Sequence, residues 1–215
     1  MNVRIFLVIL FIILFALIPG GLNYSLNELT LEKMKNVDIV QLTPAGTVPH
    51  QVRIYNNKYF PIYVKKGTIL ESNQSQDLVI AKDDILVPHT YADVPAFCIE
   101  PETCAIKGEH LKADGYAPEA ISYVISSTNW TNQENITDTQ LKIWLLVRGT
   151  NYDPYSGESL AFVSKNNISY DTLQEKIYKM EAEFSKNMSS SFNIQNISKN
   201  LLQEIINRFK QFFQK

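Results

Sequence analysis

Two cysteines and three histidines are all the thiolate and imidazole metal ligands that this 215-residue chain offers. His50, His89 and His110 lie far apart, and no two share the i, i+4 spacing of a ligand pair, so no metal site is expected. There is no Cys-x-x-Cys, no glycine-rich phosphate loop and no Gly-x-Ser-x-Gly elbow, which removes the common redox, nucleotide and hydrolase signatures. No cofactor is expected. An excess of charge is missing too. Twenty basic residues face 22 acidic ones, for a net charge of −2, and no basic stripe interleaved with aromatics occurs. Nucleic acid is therefore excluded as an expected partner. Eight glycines and nine prolines rule out a low-complexity composition, and the 45% apolar content with eleven Tyr and eleven Phe supplies a real core.

Long apolar runs are confined to the N-terminus. Arg4 precedes an unbroken apolar run from Ile5 to Ile18, and Pro19, Gly20 and Gly21 end it. A basic start, an apolar core and a small-residue exit describe a secretory signal over residues 1–21, with a retained signal anchor as the alternative. Both place the remainder outside the cytoplasm, secreted or anchored to the cell membrane. Seven Asn-x-Ser/Thr sequons, at Asn23, Asn73, Asn129, Asn135, Asn167, Asn187 and Asn196, are compatible with an exported glycoprotein. In that setting Cys98 and Cys104, with Pro101 between them, are candidates for one short-loop disulfide.

Residues 22–36 read as a polar stalk with a helical turn around Leu29, Leu31 and Met34. From Val37 onward short β-branched and aromatic runs alternate with turns: Val37–Leu42, Val52–Tyr55, Phe60–Val64, Asp77–Ala81, Ile85–Val87 and Val94–Ile99. Strands at this spacing predict an antiparallel sandwich or barrel, and the fold class expected is α+β, a β-sandwich-like domain over residues 37–149 with packed helices. Pro118 opens one predicted helix, running to about Ser126. Thr137 with Gln140 suggests a capping box for a second, which Gly149 ends. That helix is apolar on most sides and should be buried. Residues 150–170 read as a linker, and 153–158 as a plain turn without calcium-loop spacing. Leu173, Ile177, Met180 and Phe184 then form one stripe of a helix. A last helix from Leu201 to Phe213 completes a C-terminal hairpin over 171–215, with homo-oligomeric packing or membrane contact as its further possibilities.

One pairing carries chemistry. Phe97-Cys98 ends a β run, and Gln140-Leu141-Lys142-Ile143-Trp144 lies on the buried helix. Over residues 97–144 these motifs resemble the thioester domains of bacterial surface adhesins, which join an aromatic-Cys element to a later Gln followed by two variable and two apolar residues. The resemblance implies a Cys98–Gln140 thioester, with Cys98 as thiol donor and Gln140 as acyl carrier, opened by an amine on a target surface. Such a bond excludes the Cys98–Cys104 disulfide.

The leading expectation is an exported cell-surface structural or binding protein without a catalytic constellation, acting on an unidentified surface ligand or protein. A covalent adhesin using the Cys98–Gln140 thioester is the alternative. An exported hydrolase using dispersed acids such as Glu100, Glu102 and Glu109 is the second.

Overall fold

The computed structural model describes residues 31–191. Residues 31–35 are helical and bring Met34 into the core. Eight strands follow: β1 (Asp38–Gln41), β2 (His50–Asn56), β3 (Ile62–Val64), β4 (Thr68–Glu71), β5 (Leu78–Ile80), β6 (Asp84–Leu86), β7 (Thr90–Cys98) and β8 (His110–Tyr116). Four α-helices, α1 (Glu119–Ser126), α2 (Gln133–Arg148), α3 (Gly157–Lys165) and α4 (Tyr170–Ser191), with a 3₁₀ turn at Gly149–Asn151 between α2 and α3, complete the described chain.

The sheet is a closed barrel in the order β1-β2-β7-β5-β4-β8, with every neighbour antiparallel, and not the expected sandwich. β8 closes it by pairing with both β1 and β4, so none of the six strands is left as a free edge. The sequence pattern marks neither β4 nor β8. β8 reads His-Leu-Lys-Ala-Asp-Gly-Tyr, and only Leu111 and Ala113 are buried. A strand with one large apolar residue gives a weak alternation signal. β3 and β6 form a separate two-stranded ribbon.

Strand alternation sorts the apolar residues into two clusters. Ile54, Leu70, Leu78, Ile80, Ala96 and Cys98 belong to the cluster that fills the barrel and continues onto α2, α3 and α4. Their sequence neighbours Ile69, Val79, Ala81, Phe97 and Ile99 point the other way, under α1 and α2. Helix α2 serves both clusters, since Leu141, Trp144 and Leu145 face the first while Ile136 and Ile143 face the second. Its all-round apolar character in the sequence has this cause. α2 begins a turn earlier than the Thr137 signal. Asn132 is its N-cap and accepts from the Glu134 and Asn135 N–H groups at 2.9 and 3.3 Å.

On α4, Leu173, Ile177 and Met180 are buried as the stripe suggests, and the ion pairs Lys142–Glu183 and Lys176–Glu134/Asp138 tie α4 to α2. Within 150–170, read as a linker, the structure has helix α3. The last predicted helix of the hairpin, with its oligomeric or membrane contact, lies outside the described residues. So does the segment 1–21 on which membrane anchoring rested. Among the described residues no helix is long and apolar enough to cross a membrane. The expectation of an extracytoplasmic, membrane-anchored protein is corrected accordingly.

Candidate functional site

One end of the barrel gathers the ends of β1, β4 and β7 with the starts of β2, β5 and β8. Its interior layer is polar: Gln41, His50, Ser75, Gln76 and Cys98 are all buried there. Helix α3 closes over this end, and the first turn of α3 contributes Glu158, whose side chain has no exposure. Two glycines let α3 come close. Gly157 (φ +49°) lies against the backbone of Glu102, and Gly46 (φ +74°) against that of Ala161, so a Cβ at either position would collide with main chain.

Glu158 is the centre of the arrangement. Oε1 accepts from the Gly46 N–H at 2.6 Å and lies 3.2 Å from His50 Nε2, while Oε2 accepts from the Ala105 N–H at 2.8 Å. The opposite imidazole nitrogen, His50 Nδ1, is 3.0 Å from Thr43 Oγ1, which itself accepts from the Gln51 N–H at 3.1 Å. One tautomer satisfies this chain: the Thr43 hydroxyl donates to Nδ1, and Nε2–H donates to Glu158. The Gln76 side-chain nitrogen lies 2.8 Å from that same Nε2, and Gln76 Oε1 has no partner. Turning the amide over puts the acceptor against Nε2–H, a proton then shared with Glu158, and exchanges the unpartnered oxygen for an unpartnered NH2. Beside it, the Ser75 hydroxyl donates to Gln41 Oε1 at 3.1 Å and accepts from the Ile106 N–H at 3.0 Å. Three otherwise irregular segments, at 43–49, 75–76 and 105–106, are thereby pinned to one another and to α3.

Cys98 and Gln140 meet here, but through the Cys98 backbone. Gln140 Oε1 accepts from the Cys98 N–H at 2.9 Å, and Gln140 Nε2 donates to the Cys98 carbonyl at 2.7 Å. The side-chain amide thus serves both peptide groups where β7 leaves the sheet. Burial pushes the Cys98 thiol well up, the Trp144 indole opposes this, and the Glu158 charge adds to it. A thiol held in its protonated form is the reverse of an activated nucleophile. The expected disulfide is also corrected: both cysteines are free, with Cys98 buried and Cys104 exposed. Around Cys98, Trp144 Nε1, Tyr152 Oη and Ser159 Oγ are buried without a hydrogen bond of good geometry. Trp144 and Tyr152 stack at 5.9 Å.

The other sequence candidates lie elsewhere. His110 pairs with Asp38 at 2.8 Å on the surface, and His89 packs edge-on against Tyr59 at 4.9 Å. Of the three acids, Glu102 pairs with Arg148 through two contacts of 2.6 Å, Glu109 accepts from the Ser72 hydroxyl, and Glu100 adds its charge to the environment of Asp77. They do not share one partner. Asn129 and Asn135 use their side-chain oxygens in the loop before α2, with Asn135 Oδ1 accepting from the Asn129 N–H at 2.6 Å. Glu158 is the residue that sequence reasoning missed. Its signal was Ser156 followed two residues later by an acid, an N-terminal helix pattern that the preceding Asp-Pro turn obscures.

A family model, described as ARPP-1, the ARG and Rhodanese-Phosphatase-superfamily-associated Protein domain, matches residues 8–200. No curated protein sequence and no solved structure matches the chain. The match corrects the likeness to adhesin thioester domains, and neither the disulfide nor the secreted-glycoprotein reading has support beside it.

Proposed function

From its membership of the ARPP-1 family, the ARG and Rhodanese-Phosphatase-superfamily-associated proteins, we propose that this chain is a protein-binding module whose partner is a rhodanese-phosphatase superfamily protein. The observation that supports binding rather than chemistry is the state of the polar centre. Glu158 and His50 have no exposure, and both carboxylate oxygens are already engaged by backbone N–H groups. A general acid or base needs a free position within about 2.6–3.2 Å of a substrate atom, whereas here those positions are filled by the protein's own loops. The centre therefore acts as a structural pin, holding the loops of one barrel end in a single arrangement. The binding half of the sequence expectation is thus retained, without its exported setting.

Calorimetric titration of the full chain into a purified rhodanese-phosphatase superfamily protein from the same organism tests this. A stoichiometric complex with Kd in the micromolar range or tighter, about −8 kcal/mol or better, is the expected result. Absence of binding at about 100 μM of each protein sinks the proposal.

A further inference from the structure

The barrel end opposite Glu158 carries an apolar surface that nothing described covers. β2 ends there at Asn56 and β7 begins at Thr90, and the β3–β6 ribbon stands beside them. Within the ribbon Ile62, Val64 and Leu86 turn inward and are buried, while Tyr63 and Ile85 sit directly opposite one another and face out. Tyr59 is 89% exposed and Ile85 65%. Phe60, Val87 and Tyr91 are exposed as well.

A single buried side chain ties the loop carrying Tyr59 and Phe60 to the end of β6 beside Ile85 and Val87. Asn56 Nδ2 lies 3.0, 3.0 and 3.1 Å from the carbonyls of Phe60, Leu86 and Val87, and Asn56 Oδ1 accepts from the Lys58 N–H at 3.0 Å. The Tyr59 ring packs on His89, and the Tyr55 ring on Tyr91 at 5.8 Å. A two-stranded ribbon is marginal by itself, and here it is tied down with its aromatic side outward. Grouped exposed apolar side chains of this kind mark interaction sites rather than ordinary surface, and Tyr with Arg is the composition of interface hot spots.

The rim says what fits. Lys33 Nζ lies 5.3 Å from the centre of the Phe60 ring and Arg53 4.4 Å from that of Tyr91. Arg53 already has Asp93 at 2.6 Å, and the Asp84 carboxylate accepts from the Ile85 N–H. Among the described residues neither Lys33 nor Lys58 has a carboxylate partner. Covering the patch desolvates these ammonium groups, and that is favourable only when the incoming surface brings carboxylates to them.

We propose that the Tyr59–Ile85–Tyr91 face is the docking surface for the rhodanese-phosphatase superfamily partner, which meets it with an apolar surface carrying acidic groups opposite Lys33 and Lys58. This rests on the binding reading above, and the test separates the two. The same titration is run with the full chain, the double variant Tyr59→Ala/Ile85→Asp, Lys33→Glu, and the control Tyr123→Ala, which removes an exposed tyrosine on α1. Circular dichroism first confirms the wild-type fold of each. The double variant should weaken binding roughly thirtyfold or more, Lys33→Glu several-fold with a reduced salt dependence, and Tyr123→Ala should match wild type. If wild type binds and the double variant binds equally well, the partner uses another surface and this inference fails while the binding reading stands. Failure of wild type to bind removes both. Sedimentation of the chain alone adds one outcome: a dimer that the double variant dissolves makes a second copy the occupant and overturns the proposal.

Discussion

Glu158 holds two backbone N–H groups and an imidazole on one carboxylate with no exposure to solvent. Removing one member of such a buried set leaves the others desolvated and unpaired, a heavier loss than the pair's own net contribution. Glu158→Ala is expected to lower the unfolding free energy by about 3 kcal/mol or more, read from urea denaturation. A loss under about 1 kcal/mol would mean that the loops at 46 and 105 hold without the carboxylate. The two cysteines give a second residue-scale test. Burial holds the Cys98 thiol protonated and out of reach, while Cys104 is exposed. A thiol reagent should modify one cysteine in the native protein and two in denaturant, and the intact mass should show no missing ammonia. Two thiols reacting natively would contradict the sealed end, and none reacting in denaturant would revive a covalent link.

At the scale of elements, α3 docks by two glycines. Gly157→Ala places a Cβ into the Glu102 backbone at a positive φ, and is expected to destabilise by about 2–4 kcal/mol, as substitutions at strained, close-packed positions do. A thermal melt within 2 °C of wild type, about 0.5–1 kcal/mol or less at this chain length, would show that α3 can shift at little cost.

The turn leading into β5 carries a pH dependence. Asp77 is pushed up to about 6, chiefly by burial and then by the charges of Glu100 and Asp114, against the pull of the Ser72 N–H. Glu71 on β4 is raised too, first by burial and then by Asp114 and Asp77. Between the unfolded value near 3.9 and the folded value near 6, the native Asp77 keeps a proton that the unfolded chain has lost. Its contribution is therefore fully present below the unfolded value and is lost as pH rises through about 6. Asp77→Asn retains the acceptor for Ser72, and should abolish part of the wild-type fall in urea midpoint between pH 4.5 and 7. Equal falls in both proteins would assign the dependence to other carboxylates.

Across the whole molecule, α2 is shared by the barrel core and the outer core, so the two cannot unfold independently. Trp144 reports on the first and Trp130 packs on the second. Fluorescence of Trp130→Phe and far-UV circular dichroism of wild type should follow one sigmoidal unfolding curve once allowance is made for the shift in midpoint. An early phase in circular dichroism that Trp144 fluorescence lacks would show that α1 and the outer face of the sheet release first. The sequence alone determined the local elements whose signal lies within a few neighbours. The β runs at 37–42 and 52–55, the Pro118 helix start, the Gly149 helix end and the stripe at 173, 177 and 180 were all legible, because alternation and caps are properties of adjacent residues. It also brought Cys98 and Gln140 to notice, while their bond, side-chain amide to backbone, could not be read from identity or spacing. Barrel closure, by contrast, depends on β8 finding β1 and β4 some 70 and 40 residues away, and a strand of Leu, Ala and charged residues announces neither partner. Glu158 reads as a turn acid until α3 lays it over His50, 108 residues earlier. Burial and pairing across such distances are decided when the whole chain packs, which is why the tertiary structure alone shows the sealed polar end and the open aromatic one.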